Sequence, residues 1–314
     1  MRIAIMGSGA VGGYFGARLA NGASDVTFVA RGAHLAAMRE HGLAVESPLG
    51  DIRLQPVKAT DDPKQIGSVD LVIVAVKLWD TEQAARQIEP LVRAGAAVVS
   101  LQNGVEKDEV LRRVLGAEPV MGGACYIGAS IARPGVILHT GKMQRIVFGE
   151  YDGRRSPRAE AFLEACRHAG IDVELSPDIE RATWEKFVFL VAMSGATSTI
   201  RLPIGPIRQN ARTRALLVDL MREVVAVGRA RGVKLSEDFP EARMAACDAL
   251  PPEMTSSMHN DLKQGNRLEV AWLSGGVVEL GKSLGIATPL NRAVSDILAP
   301  YAEGGERKSG TSGL

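Results

Sequence analysis

Short apolar runs and amphipathic stretches alternate along the first half of the chain. Runs of strand length that are apolar except for Thr27, Asp70 and Ser100 occur at residues 3–6, 26–30, 69–76 and 97–101. Runs of this kind, rich in β-branched residues, are typical of strands buried on both faces of a parallel sheet. The stretches between them suit helices, so the pattern predicts an α/β fold built on a doubly wound parallel sheet.

Elements of both kinds continue to about residue 176. Helices are predicted at residues 10–20, 32–41, 81–93, 105–115 and 157–169. Further strands are predicted at residues 43–47, 52–54, 121–126, 135–139, 145–149 and 171–175, with a turn at Pro134 and Gly135. We therefore expect a first, Rossmann-type domain over residues 1–176.

Beyond this point the sequence shows helical patterns and no convincing strand. Ser176 and Pro177 predict a helix start, with the serine as N-cap and the proline at the first helical position. Helices are expected at residues 177–199, 208–231, 236–249, 256–264, 267–285 and 288–301. The sequence thus predicts an all-α domain over residues 177–303, a cleft between the two domains, and a disordered tail over residues 304–314.

A glycine-rich turn links the first predicted strand to the first predicted helix. Its spacing, G-x-G-x-x-G, is that of a dinucleotide-binding βαβ unit, in which the helix N-terminus faces the pyrophosphate. The alternative is a glycine-rich packing turn, but the strand before it and the helix after it favour a binding site. The residues concerned are Gly7, Ser8, Gly9, Ala10, Val11 and Gly12.

Arg31 follows the second predicted strand, where many NAD-binding domains have an acidic residue that holds the ribose. A guanidinium can instead pair with the 2′-phosphate of NADP. An arginine exposed in a loop is the ordinary alternative. Because Asp25 lies at the start of this strand and Glu40 well beyond its end, we favour NADPH over NADH.

Charge and composition narrow the class of protein. The 37 basic and 36 acidic residues give a net charge of +1, which provides no general attraction for nucleic acid or an anionic membrane. No apolar run is long enough to cross a bilayer, and the glycines of residues 7–13 interrupt any signal-peptide pattern. Three widely spaced cysteines fit reduced thiols better than disulfides or a metal site, so a cytoplasmic protein is expected.

Polar residues follow two further strands of the first domain. Lys77 follows the strand at residues 69–76, and Asn103 follows the strand at residues 97–101. Ligands bind at this carboxyl edge of open parallel sheets. A surface lysine is nevertheless the usual case for Lys77, and an Asn-Gly turn explains Asn103 as well as a binding role does. His139 lies in an apolar strand, where a histidine is more often structural than catalytic.

Two charged residues of the second domain are candidates for chemistry. Lys186 lies in a strongly apolar predicted helix, so its ammonium either extends to solvent or serves as a general acid. Glu269 precedes an apolar stretch and is expected at the start of a buried helix. There it would complement the helix dipole or pair with Lys186.

Over residues 1 to about 301 the sequence resembles the ketopantoate reductase (2-dehydropantoate 2-reductase) family. No one of the shared features is specific, but together, at these spacings, they are. They are Gly7-x-Gly9-x-x-Gly12, Arg31, Val76-Lys77, Gln102-Asn103-Gly104, Pro134-Gly135 with His139, Trp184-x-Lys186, Ser256-Ser257-Met258-x-x-Asp261 and Glu269.

The resemblance implies an enzyme that reduces 2-dehydropantoate to pantoate with NADPH, a step of pantothenate biosynthesis. Lys186 would be the general acid, and Glu269 would bind Lys186 or the nicotinamide ribose. Asn103 would contact both cofactor and substrate, and Ser257 would hold the substrate carboxylate. Lys77 and the backbone of Ile131 would lie near the cofactor. The resemblance allows either a monomer or a homodimer.

Three positions depart from the family. Asparagines usually stand four and eight positions after the lysine, where this chain has Leu190 and Ser194, and a third would fall near Ile204. The implied substrate pocket is more apolar, so another, less polar 2-oxo acid is an alternative substrate. A non-catalytic NADP-binding regulator is a third hypothesis. The retained residues argue against it, namely Lys186, Glu269, Asn103 and Ser257.

Overall fold

The computed structural model describes residues 1–305. The chain divides into two compact units, Met1–Thr183 and the chain from Trp184 onward. The division falls within a continuous helix, Ile179–Ile200, which we label α6. Of the tail expected over residues 304–314, residues 306–314 lie outside the described residues.

The first unit is built on a ten-stranded sheet. Its strands are β1 (Arg2–Met6), β2 (Asp25–Val29), β3 (Leu43–Glu46), β4 (Ile52–Leu54), β5 (Lys58–Thr60), β6 (Leu71–Val74), β7 (Ala97–Ser100), β8 (Val120–Arg133), β9 (Val136–Gly149) and β10 (Asp172–Leu175). The order β5-β2-β1-β6-β7-β8 is parallel throughout, which is the doubly wound dinucleotide-binding order. The predicted fold class is confirmed.

Side chains of β1 show how the sheet forms the core. Ile3 and Ile5 pack into the cluster on one face, and Ala4 and Met6 into the cluster on the other. Successive residues of a strand point to opposite faces, so a strand covered by helices on both sides has to be apolar at every position. The helices of this unit are α1 (Ala10–Asn21), α2 (Gly32–His41), α3 (Thr81–Arg93), α4 (Lys107–Leu115) and α5 (Pro157–His168).

A long hairpin extends the sheet beyond the parallel strands. β8 and β9, of 14 residues each, pair antiparallel on either side of the predicted turn at Pro134 and Gly135. The sequence pattern predicts three short strands here. That prediction is wrong because residues 127–133 and 140–143 are half-buried or exposed and interrupted by small or polar residues, so they lack the apolar run that marks a buried strand. On the far side, β3 and β10 pair parallel with β9, and β4 antiparallel with β3.

The described part of the second unit is helical, without strands through residue 305. Helix α6 continues into it and is followed by α7 (Ile204–Gln209), α8 (Ala211–Ala230), α9 (Phe239–Asp248), α10 (Ser257–Gln264), α11 (Ser274–Leu284) and α12 (Pro289–Leu298). The region predicted as a single helix from residue 208 breaks at Asn210. Its side chain caps α8 by accepting from the amides of Arg212 and Thr213.

Two predicted helix starts are wrong. The N-cap of α6 is Asp178 and not Ser176, since a carboxylate oxygen of Asp178 accepts from the amide of Arg181 at 3.1 Å. Helix α11 begins at Ser274 and not at residue 267. Glu269 therefore does not open a helix: its carbonyl accepts from the amides of Trp272 and Leu273 in tight turns before α11.

Candidate active site

The glycine turn between β1 and α1 is fixed by packing at its two ends. Gly7 has φ +98°, a conformation that favours glycine, and a Cβ there would lie 2.7 Å from the backbone nitrogen of Val76. A Cβ at Gly12 would lie 2.2 Å from the carbonyl oxygen of Gly7. Neither position can carry a side chain without moving the backbone, so both glycines are required by the fold itself.

Gly9 differs, because a Cβ built there meets no protein atom within 4 Å. It is the N-cap of α1 with φ −71°, which any residue adopts, and no side chain caps the helix. The first amides of α1, from Ala10 to Gly12, lack intrahelical acceptors and are available to an anion. A glycine that the packing does not need, beside such amides, fits the close approach of a pyrophosphate.

Ser8 joins this turn to the end of β2. Its amide donates to the carbonyl oxygen of Val29 at 2.9 Å, and its hydroxyl donates to the same oxygen at 3.0 Å. Arg31, two residues beyond Val29, is the N-cap residue of α2 and its side chain is exposed. The guanidinium is therefore carried at the same sheet edge as the glycine turn.

His34, in the first turn of α2, was not singled out in the sequence. Its Nδ1 accepts from the amide of Gly135 at 3.0 Å, and burial lowers the pKa of the imidazole below its usual value. The neutral ring thus ties α2 to the turn of the β8–β9 hairpin. The sequence feature that could have indicated His34 is its position three residues, about one helical turn, after Arg31.

Lys77 and Asn103 come to this edge on neighbouring strands. β6 lies between β1 and β7, so residues that follow β1, β6 and β7 share one carboxyl edge. Lys77 is exposed, with its Nζ 5.8 Å from the ring centroid of Trp79, and Asn103 is half-buried. The structure therefore brings the glycine turn, Arg31, Lys77 and Asn103 to one edge, where the topology of a doubly wound sheet places ligands.

Ile131 lies on the β8 arm of the hairpin, opposite Ile137, and is 45% exposed. Ile137 packs against the start of α1, since a Cβ at Gly13 would lie 2.9 Å from its Cγ1. Ile131 is therefore the direct cross-strand neighbour of the residue that covers the first turn of α1.

His139 has a structural environment. The ring is 1% exposed, and its Nε2 lies 3.0 Å from the carbonyl oxygen of Met143. Because a carbonyl oxygen only accepts, Nε2 carries the proton, and Nδ1 accepts from the hydroxyl of Ser47 at 2.9 Å. Tyr14 packs against the ring at 4.5 Å between centroids. Nδ1 thus links β9 to the residue that follows β3, whereas Nε2 bonds within β9 itself.

In the second unit, helix α6 carries three predicted residues at intervals of four. Lys186 and Leu190 are half-buried, whereas Ser194 is fully buried and its hydroxyl has no hydrogen-bond partner among the described residues. Residues four apart share a helix face. Ile204, the first residue of α7, is also 0% exposed, so its side chain belongs to the interior rather than to an accessible pocket wall.

Ser257 is the exposed first residue of α10, a position where amides and helix dipole favour an anion. Ser256 caps this helix by accepting from the amide of His259, and its hydroxyl lies 2.9 Å from that of Thr197 on α6. His259 adds a second link, since its Nδ1 lies 2.8 Å from the carbonyl oxygen of Thr197. The α10 N-terminus is therefore fixed relative to α6, which carries Lys186.

Glu269 is 7% exposed and lies in the irregular segment before α11. Through residue 305, no cluster of side chains has the composition of a metal site, and no helix is long and apolar enough to span a membrane. The three cysteines are buried and form no disulfide bond with one another.

The strand order and the glycine turn define a dinucleotide-binding enzyme fold, and comparison with known proteins identifies the family. The family model described as ketopantoate reductase PanE/ApbA matches residues 3–153, and its C-terminal counterpart matches residues 178–302. The chain is 34% identical to the 2-dehydropantoate 2-reductase of Halobacterium salinarum over 95% of its own length and 98% of the relative.

Solved structures support the same family assignment. The 2-dehydropantoate 2-reductase of Geobacter metallireducens superposes with a TM-score of 0.89 at 33% identity, covering 96% of this chain and 99% of that one. A ternary complex of D-mandelate dehydrogenase with NADH and anilino(oxo)acetate gives a TM-score of 0.88 at 20% identity, covering 96% and 98%, and shares the fold. The chain belongs to the ketopantoate reductase family, whose members are dinucleotide-binding oxidoreductases that act on CH–OH groups of small molecules.

Proposed function

We propose that this protein reduces a 2-oxo acid to a 2-hydroxy acid with NADPH, with 2-dehydropantoate as the leading substrate. The observation that carries the proposal is the set of residues at the carboxyl edge of β1, β2, β6 and β7. There an unobstructed Gly9 and free helix amides lie on the same edge as Arg31, Lys77 and Asn103. Names of relatives at about a third identity support the same reaction.

Residues of the first unit would bind the cofactor. Amides of residues 9–12 would hold the pyrophosphate, and Arg31, exposed at the end of β2, would pair with the 2′-phosphate of NADPH. Lys77 adds positive charge to the same edge, and the backbone of Ile131 would lie near the nicotinamide. When bound, NADPH supplies the hydride.

Lys186 would donate the proton. As a ketone carbon accepts hydride, negative charge develops on its oxygen, and a nearby ammonium stabilises that charge while protonating it. Glu269 would orient Lys186 or the nicotinamide ribose with its buried carboxylate. Ser257, at the N-terminus of α10, would hold the substrate carboxylate, and the Asn103 amide would contact cofactor and substrate.

A less polar 2-oxo acid is the second candidate substrate. The observation that favours it is Leu190, half-buried one turn beyond Lys186 on the same helix face, where the family usually has an asparagine. A buried substrate hydroxyl without its partner costs about 1–3 kcal/mol, enough to reverse a preference between related acids.

The test is substrate-dependent NADPH oxidation with a panel of 2-oxo acids that runs from 2-dehydropantoate to acids with purely apolar side chains. Turnover of at least one acid, with NADPH preferred over NADH, is the expected result. If the purified protein binds NADPH but turns over none of the panel, the reductase proposal is wrong and a binding regulator is the better description.

A further inference from the structure

The side chain of Gln102 connects three chain segments at the carboxyl edge of the sheet. It lies two residues after the end of β7 and is 5% exposed. Its Nε2 lies 2.9 Å from the carbonyl oxygen of Val76 and 2.8 Å from the hydroxyl oxygen of Thr81, and its Oε1 lies 3.0 Å from the hydroxyl of Ser100. One buried amide thus joins the end of β7, the end of the β6 segment and the start of α3.

The direction of these bonds is fixed by chemistry. The Val76 carbonyl can only accept, so the atom facing it has to be the amide nitrogen of Gln102. Thr81 donates its own proton to the carbonyl of Leu78 at 2.7 Å, so its hydroxyl accepts the second proton of that nitrogen. Both protons and the oxygen of the amide are used, and no other side chain of similar size supplies two donors and one acceptor in this arrangement.

The segments that Gln102 holds carry two of the proposed ligand contacts. The Val76 carbonyl belongs to the peptide that leads into Lys77, and Asn103 is the next residue after Gln102 itself. A displacement of the Val76 peptide would move Lys77, and a displacement of the Gln102 backbone would move Asn103. Both shifts would be relative to the glycine turn, whose Gly7 packs against Val76.

We propose that Gln102 is a positioning residue, which sets Lys77 and Asn103 for cofactor binding and hydride transfer. The assignment rests on the proposed function, since those two contacts are part of it. Gln102 itself lies beneath the edge, with its polar atoms used in bonds to the protein, and acts through its neighbours.

The test compares Gln102→Met and Gln102→Glu with wild type in the intact protein. Methionine preserves the length without strong hydrogen bonds, and glutamate keeps the oxygen that accepts from Ser100 but places a second acceptor against the Val76 carbonyl. Gln144→Met is the matched control, because Gln144 is also buried and donates to a carbonyl, that of Gly170 at 2.9 Å, away from the sheet edge. NADPH dissociation constants are measured by fluorescence titration, alongside KM, kcat and thermal midpoint.

For Gln102→Met and Gln102→Glu we expect NADPH to bind about tenfold more weakly, with a fall in kcat. Gln144→Met should lower the thermal midpoint without changing the NADPH dissociation constant or kcat. Wild-type NADPH affinity and kcat per folded molecule in the Gln102 variants would overturn the proposal. If wild type itself fails to bind NADPH, the proposed function fails instead, so the two failures are distinguishable.

A second pair of variants, at Thr81, tests the positioning role of Gln102 if the Gln102 variants do not fold. Thr81→Val removes the hydroxyl that accepts from Gln102, and Thr81→Ser keeps it. We expect the valine variant to reproduce the loss of NADPH affinity and the serine variant to restore it. Equal affinities for the two would contradict the proposal.

Discussion

Ser8 donates two hydrogen bonds to one acceptor, the carbonyl oxygen of Val29, from its amide at 2.9 Å and its hydroxyl at 3.0 Å. The glycine turn after β1 and the end of β2 are therefore held together at this carbonyl oxygen, to which the amide of Gly7 also donates at 3.3 Å. Because Arg31 follows Val29 by two positions, the proposed sites for pyrophosphate and 2′-phosphate are built on a common rigid support.

Two glycines of that turn should respond differently to the same substitution. Gly12→Ala places a methyl group 2.2 Å from a backbone oxygen and should cost about 1–3 kcal/mol of folding free energy. Gly9→Ala should leave stability unchanged and weaken NADPH binding by about tenfold, or about 1.4 kcal/mol. Thermal melts and cofactor titrations of both variants check this. A stable Gly9→Ala protein with full NADPH affinity would argue against a pyrophosphate at this turn.

Arg31→Ala should weaken the binding of NADPH much more than the binding of NADH. Loss of a bidentate pair with the 2′-phosphate is expected to weaken NADPH binding by about tenfold to a hundredfold, with little effect on NADH, which lacks that group. Arg39→Ala is the control, because Arg39 lies on the same helix but pairs with Asp61. Titration with both cofactors is the measurement. Equal weakening of NADH and NADPH would refute the phosphate role.

Leu190→Asn should shift substrate preference. An amide one turn after Lys186 would supply the hydrogen bond that the family usually offers a substrate hydroxyl, so kcat/KM for 2-dehydropantoate should rise by about tenfold relative to an apolar 2-oxo acid. Leu190→Met, which keeps an apolar side chain, is the control. The ratio of kcat/KM for the two acids is measured. An unchanged ratio in the asparagine variant would remove Leu190 from the substrate pocket.

Glu150 links stability of the first unit to pH. Burial alone would raise the pKa of its carboxyl, but hydrogen bonds from Arg158 and Ser156 outweigh it and hold the pKa below the usual value. A carboxyl with a depressed pKa stabilises the fold above its ordinary titration range, and this contribution is lost as the pH falls through the depressed value.

Arg158→Met should therefore lower the free energy of unfolding at neutral pH by about 1.5–3 kcal/mol, and flatten its decline in acid. Arg158 contacts both carboxylate oxygens of Glu150 at 2.8 Å, which makes the pair bidentate. Arg155→Met, which breaks an exposed pair with Glu160, is the control and should change little. Denaturant unfolding between neutral and acid pH provides the data. A stability curve for Arg158→Met parallel to that of wild type would contradict the linkage.

Local pattern was sufficient for the parallel core and the glycine turn, because strands such as β1 are apolar on both faces and Gly7 to Gly12 directly join a strand to a helix. The local pattern did not predict those strands whose formation depends on pairing with a distant segment. β5 has three residues and exists by its pairing with the edge of β2. The β8–β9 hairpin is one element because its strands pair on both sides of an irregularity between Ile127 and Ala129. Neither partner can be read from the segment itself.

The candidate site was predicted unevenly for the same reason. Arg31, Lys77 and Asn103 could be predicted to lie at the sheet edge because each follows an apolar strand. Glu269 was placed in a helix because apolar residues follow it, whereas the tight turns that begin at its own carbonyl delay α11 to Ser274. Gln102 was part of the quoted motif, but its role depends on Val76 and Thr81, which are distant in sequence.

Single-turnover oxidation of NADPH in the presence of 2-dehydropantoate, compared between wild type and Lys186→Ala, tests the central claim most directly. General acid catalysis is typically worth a factor of about a hundred to ten thousand, so the variant should bind NADPH normally and oxidise it at least about a hundredfold more slowly. Lys282→Ala, an exposed lysine of α11, should match wild type. Oxidation by Lys186→Ala at the wild-type rate would contradict the assignment of Lys186 as the proton donor.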